Sequence, residues 1–171
     1  LVHGRPRLLN LKELITYFVE HRHEVLVRKT RYDLEQAEKR AHILEGLLKA
    51  IDFIDEVIAI IRSSSTVDDA RNRLMERFDF SDMQARAIVD MRLRALVGLE
   101  RDKILQEYND LLAKIEYYKQ VLSDLSLRMK IIRDEMSELK ARFADARKTE
   151  IIYASEELNP EDFYADEDVV I

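Results

Sequence analysis

Residues Arg101 to Phe143 read RDKILQEYNDLLAKIEYYKQVLSDLSLRMKIIRDEMSELKARF. Within them Ile104, Tyr108, Leu111, Ile115, Tyr118, Leu122, Leu125, Met129, Ile132, Met136, Leu139 and Phe143 recur at alternating steps of four and three without a miss. Such a repeat lays one apolar stripe along a helix and requires a second helix beside it for most of its length. At 1.5 Å of rise per residue the segment makes a rod of about 60 Å. Ser123-Asp124 offers a place for a local break and re-cap, although the heptad phase runs through it.

The matching rod lies earlier in the chain. Val27, Thr30, Leu34, Ala37, Ala41, Leu44, Leu48 and Ile51 keep the same three-four spacing. Asn10 opens that helix as its N-cap, with Glu13 completing a capping box and Leu9 and Leu14 placed to form a hydrophobic staple. No breaker follows until Ser63-Ser64-Ser65, apart from Gly46, whose cost in a helix interior is about 1 kcal/mol. The expected seam takes Leu34, Ala41, Leu44 and Leu48 from the first rod. From the second it takes Ile104, Tyr108, Leu111, Ile115, Tyr118 and Leu122. Around Phe53 to Ile61 the sequence turns apolar on several sides, as where a helix enters a globular layer.

Two short helices separate the rods. Thr66 with Asp69 caps one over Val67 to Phe78, and Ser81 with Gln84 forms a capping box for another over Ser81 to Leu96, which Gly98 is placed to end. The economical arrangement is all-α, a long antiparallel coiled-coil hairpin closed by a small helical tip. A parallel pairing would need a return connection as long as a rod. The expected organisation is a lead-in over 1–10 from an upstream domain and a first coiled-coil helix over 11–63 whose end enters the tip. The tip follows over 64–100, the returning helix over 101–149 and an acidic linker over 150–171.

The Ser81–Leu96 helix carries more apolar surface than one core needs. On a helical wheel Asp82, Arg86, Asp90 and Arg94 make one charged stripe, while Ala87, Ile88, Met91 and Ala95 lie on one side of the rest and Ala85, Val89, Leu93 and Leu96 on the other. One face is expected to cover a tip core of Ile54, Ile58, Ile61, Leu74, Phe78 and Phe80. The other either stays exposed as a contact surface, since monomers seldom display large apolar patches, or is wrapped by the tip itself. Expected contact residues are Ala87, Ile88, Met91, Arg92, Ala95 and Leu96.

Composition agrees with a helical machine part. Of 171 residues 36% are charged and 47% hydrophobic, with three Gly, two Pro and no Trp. No Cys is present, which removes disulfides, thiolate zinc sites and a Cys nucleophile. No apolar run approaches the roughly 20 residues of a membrane span. The chain opens Leu-Val-His-Gly with neither Met nor a signal-like region, and is expected to be a piece of a longer protein. The net charge of −6 is concentrated from Glu150 onward, where acids occur without bases, so the body is near neutral rather than a dedicated nucleic-acid patch. His21-x-His23 points its two rings apart on a helix and makes no metal site. No Gly-rich phosphate loop, Ser-His-Asp constellation or zinc spacing occurs. The pattern is that of a protein that positions things. Arg28, Lys29, Arg31, Lys39 and Arg40 are the rod cations that direct DNA binding would use, against a solvated rod face as the simpler reading.

Four stretches carry a specific resemblance: RPRLLNLKELITYFVEHRHEV from Arg5, RAHILEGLLKAIDFIDEVIAIIRSS from Arg40, ARNRLMERFDFSDMQARAIVDMRLRALVGLE from Ala70, and KTEI from Lys148. Together they resemble the A subunits of bacterial DNA gyrase, type IIA topoisomerases, over their coiled coil and exit-gate tip. The related topoisomerase IV subunit shares the architecture, but the unbroken second stretch and LVGLE are more similar to gyrase. DEDVVI at Asp166 to Ile171 is similar to the first strand leading into the family's DNA-wrapping domain. The resemblance implies ATP-dependent double-strand passage that introduces negative supercoils, in the cytoplasm. It also implies a homodimer through the tips, a gyrase B subunit in an A2B2 holoenzyme, and duplex DNA held by the whole enzyme. No cofactor belongs to this segment; ATP and Mg2+ would enter through the B subunit. The family's catalytic Tyr follows an Arg, as Tyr32 follows Arg31 here, but it lies upstream of the RPRLLNLKEL stretch, so Tyr32 is not the nucleophile and the segment has no catalytic residue. A generic coiled-coil adaptor, with rods associating between chains, is the reading from a different class.

Overall fold

The computed structural model describes residues 2, 4–91 and 98–150, with residues 98–100 described by backbone alone. Among them run six helices, in order α1 Leu11–Asp52, α2 Ile54–Ser63, α3 Val67–Phe78, α4 Asp82–Val89, α5 Gly98–Ser123 and α6 Leu125–Phe143. Among the described residues the only sheet-like pairing is an isolated bridge between Val2 and Arg5. Two compact units divide the chain after Glu135, within α6.

In the first unit α1 runs antiparallel to α5 and the start of α6. Asp52 pairs with Arg101 at 2.8 Å, Arg40 with Glu107 at 2.8 Å, Glu38 with Lys119 at 3.3 Å, and Arg22 with Glu135. Numbers fall along one rod as they rise along the other, as the sequence pattern requires. Ala37 and Ala41 are buried against Ile115, with Leu34, Tyr108, Leu111 and Tyr118 closing around them. Two small side chains on α1 let the rods approach at the point where α5 brings its bulk. The hydrogen bond from Arg40 to Glu107 is two-pronged, and it holds the guanidinium above its ordinary pKa against the opposing effect of burial.

Asn10 caps α1 with its capping box to Glu13 complete. The first rod is not continuous to Ser63, however. It breaks at Phe53, whose φ of −115° and ψ of 34° leave the helical region. No Gly or Pro marks this break. Its cause is tertiary: restarting as α2 turns Val57 into the tip core, and the Phe53 ring packs 5.7 Å from that of Phe78, itself 5.5 Å from Phe80.

The returning rod breaks at Asp124. Its side chain accepts from the Ser126 amide at 2.7 Å, a cap for α6. Arg128 then reaches back, donating to the carbonyls of Val121 at 2.9 Å and Leu122 at 2.6 Å, and through Nε to His23 Nε2 at 2.9 Å. One guanidinium thus satisfies orphan carbonyls at the end of α5 and ties the joint to α1. The joint resets the buried face. Val121 is 1% exposed, whereas Leu125, expected in the repeat, is 54% exposed; Ile132 is buried again. In the second unit Arg142 pairs with Glu138 along the last turns of α6, and the Ala144 amide donates to Lys140 O at 2.9 Å.

Ala50, Val57, Leu74, Phe78, Phe80, Ala85 and Ile88 form the tip core. Thr66 caps α3 and Ser81 caps α4, both with the expected partners. Asp79 ends α3 in the left-handed region at φ 57°. Two further expectations fail here. The helix opened by Ser81 stops at Val89, with the Met91 amide already bonded to the Ile88 carbonyl in a tightened last turn; Arg92 to Val97 lie outside the described residues. Gly98 is the first residue of α5 rather than the end of a helix.

Gly46 has a use that its helix-interior position conceals. A Cβ there would stand 2.6 Å from Gln84 Cγ and 2.8 Å from Gln84 Cβ, so α4 approaches α1 only because that atom is missing. Replacing Gly46 by Ala gains about 1 kcal/mol of helix propensity but forces apart a packed contact at about 1–3 kcal/mol. The variant should therefore unfold at lower denaturant than the native chain in a urea titration followed by circular dichroism. A higher midpoint would show that the contact yields freely.

Candidate protein interface at the helical tip

Gln84 fixes the tip on the rods. Its side-chain Nε2 donates to the His42 carbonyl at 2.8 Å, while Oε1 accepts from the Ser81 amide at 3.0 Å. His42 Nε2 and Ser81 Oγ share a hydrogen bond at 2.7 Å. The buried amide is thus satisfied on both sides, as burial of a polar group requires. Lys49 adds a second tie by donating to the Phe78 carbonyl at 2.6 Å with its ammonium over the Phe80 ring.

With α4 held this way, its expected contact face divides. Ile88 is 1% exposed, packed with Leu74, Phe78 and Ala85 in the tip's own core. Ala87 and Met91 are half-buried, and Arg92, Ala95 and Leu96 lie outside the described residues. The wheel placed Ile88 with Met91, but α4 ends before Met91, so the two do not share a helical face. The core side of α4 is Gln84, Ala85 and Ile88.

Among the described residues of the tip, the apolar surplus is found mainly on α2. Leu74, Phe78 and Phe80 are core as expected, but Ile54, Ile58 and Ile61 are only half-buried, and Val57 takes the inward place. The three isoleucines, spaced by four and three, line one wall of a cavity of about 210 Å³. Val57 and Ile88 line it from the core side, Val89 and Met91 from the end of α4, and Arg62 is the single charged lining residue among the described residues. Sequence reading missed this groove because a run apolar on every side does not say which side a partner already covers. The i, i+4, i+7 spacing of Ile54, Ile58 and Ile61 was the available signal.

Charged groups of the tip are mostly tied down. Asp82 bridges Arg86 at 3.0 Å and Arg71 at 3.2 Å, joining α3 to α4. On the rods Lys39 pairs with Glu35 at 2.6 Å and Arg40 with Glu107, which takes two of the five candidate DNA-binding cations into ion pairs. The seam positions Ala41, Leu44 and Ile115 are buried; Leu34, Leu48, Ile104, Tyr108, Leu111, Tyr118 and Leu122 are half-buried. Tyr32 stands 61% exposed in the middle of α1. His23 bonds Arg128 while His21 is exposed, and no cluster of three or more metal-ligating side chains occurs among the described residues. No helix among them is long and apolar enough to cross a membrane.

A family model that describes the A subunits of DNA gyrase and topoisomerase IV matches residues 1–137. The DNA gyrase A subunit of Staphylococcus epidermidis is 49% identical over 172 aligned residues, which take in all of this chain and 19% of the relative. Its counterpart from Lawsonia intracellularis is 47% identical, again over all of this chain and 21% of its own length. The DNA gyrase A subunit of a Staphylococcus aureus strain is 49% identical with 19% of its length covered. The chain spans about a fifth of the length of these curated relatives.

Burial separates two hydrophobic substitutions that the sequence alone treats alike. Ile88→Glu places a carboxylate in a closed core and should abolish cooperative melting of the tip. Met91→Glu should leave the melt within about 1 kcal/mol of native. Thermal denaturation of the two variants side by side checks this, and equal losses would place Met91 in the core.

Proposed function

The chain belongs to the family of DNA gyrase and topoisomerase IV A subunits, and from that premise we propose that it forms the coiled-coil arm and exit-gate tip of a gyrase A subunit. Two such tips meet to close a protein gate, and a transported duplex leaves through it after passing a double-strand break made elsewhere in the enzyme. The observation that carries this reading is the apolar groove between α2 and the end of α4, on a tip held out at the end of paired rods. A small helical domain with its own closed core has no need of a second row of isoleucines. A two-fold contact does, because one patch then serves both copies.

The division of labour follows from the residues. The rods supply reach and stiffness through a seam of small and large side chains, and ion pairs at their margins fix the antiparallel register. Chemistry is left to the rest of the enzyme: strand cleavage to a tyrosine upstream, and ATP and Mg2+ to a B subunit within an A2B2 assembly in the cytoplasm. A gate must close without becoming permanent. The modest groove suits that better than a large apolar interface of the obligate kind. The adaptor reading, with rods pairing between chains, is less economical, since α1 finds its partner in α5 of the same chain.

Sedimentation equilibrium over a wide concentration range tests the proposal. The native chain should show a reversible monomer–dimer equilibrium that Ile58→Glu and Met91→Glu each shift toward monomer by roughly tenfold or more in Kd, about 1.4 kcal/mol. Helical content should stay native in both. Dimers indifferent to both substitutions would move the contact off the groove.

A further inference from the structure

Five arginines belong to the described part of the tip, and four are engaged. Arg71 pairs with Asp68 at 3.0 Å and with Asp82, Arg86 pairs with Asp82, and Arg77 pairs with Glu56 at 3.0 Å. Arg73 donates to the hydroxyls of Ser63 and Ser64 at 3.0 and 3.2 Å. Arg62 is different. It sits in the last turn of α2, on the lining of the apolar groove, and has no ion pair among the described residues. Asp90 ends α4 between two residues that line the same groove, Val89 and Met91; it is exposed and likewise has no ion pair among the described residues.

Two opposite charges thus flank one apolar groove and do not pair with each other. In a two-fold contact residue i of one copy meets j of the other while j meets i, so a pair unmade within a chain is made twice between chains. We propose, resting on the tip-to-tip reading above, that Arg62 of each copy pairs with Asp90 of the other, seating Met91 of one copy against Ile54, Ile58 and Ile61 of the other. The ion pairs set the register and exclude arrangements that would bring like charges together. They also make the closed contact sensitive to ionic strength, because the pairs stand at its margin.

Charge reversal with mixing tests this on the chain itself, by analytical ultracentrifugation. Arg62→Glu sets two carboxylates against each other twice in its homodimer, and Asp90→Arg does the same with two guanidiniums. Each variant alone should dimerise at least about tenfold more weakly than the native chain. An equimolar mixture of the two should form a heterodimer of near-native affinity, because only there are both contacts opposite in sign, the introduced Glu against the introduced Arg and the native Asp90 against the native Arg62. A role within one chain cannot be rescued by mixing. Arg62→Gln, which loses the pair without placing an acid at a helix C-terminus, should weaken the dimer less than Arg62→Glu, and circular dichroism should show native helicity for all three. Weak homodimers with no rescue, or dimers of native strength in both reversals, would overturn the pairing while leaving the tip contact standing. A native chain that stays monomeric at every concentration would overturn the tip contact, and the pairing with it.

Discussion

The architecture of the first unit depends on one buried amide. Gln84 stands where α4 crosses α1, in space left by the missing side chain of Gly46. Its two ends are committed, one to the His42 carbonyl on the rod and one to the Ser81 amide that begins its own helix. An unpaired amide in that position would cost about 1–3 kcal/mol, so the geometry that satisfies it is strongly preferred. Once α4 is placed there, Ala85 and Ile88 can reach Leu74 and Phe78, and α3 is carried along. The groove beside Met91 is what remains of the surface after those commitments.

The rods follow a different logic. Their seam is local in design and repeated, so each turn adds a little and no single contact decides the outcome. The tip is non-repeating: it closes through Phe78 and Phe80, with the Lys49 ammonium over the Phe80 ring and its bond to the end of α3. Losing one seam contact leaves its neighbours in place, whereas losing the tip's crossing contact removes the support for several at once. That difference suits the arm-and-gate role proposed above, in which the rods keep their shape while the tip contact opens and closes.

What could be read from the sequence was what is local or repeated. Asn10, Thr66 and Ser81 announce their helices because a capping hydrogen bond spans only three residues. The heptads announce the antiparallel rods because the pattern persists for about ten turns. The misses lie where a distant part of the chain overrules a local preference. The helix breaks at Phe53, where no Gly or Pro stands, because Val57 is needed in a core assembled from α3 and α4. Leu125 leaves the seam because Asp124 re-caps the rod. Ile88 and the α2 isoleucines exchange expected roles for the same reason: periodicity identifies an apolar face, and only the assembled neighbours determine which faces are already covered.

Arg128 has a mechanical consequence. An uninterrupted helix spreads bending along its whole length, whereas one whose hydrogen-bond ladder is interrupted flexes at the interruption first. The returning rod is therefore a lever in two segments, and its compliance is concentrated at Asp124. Arg128 is the pin of that joint, since the same guanidinium holds the end of one segment, belongs to the next and grips His23 on the opposite rod. A load applied at the tip would pass from α5 into α6 through that pin, with the Arg22–Glu135 pair further along as a second brace.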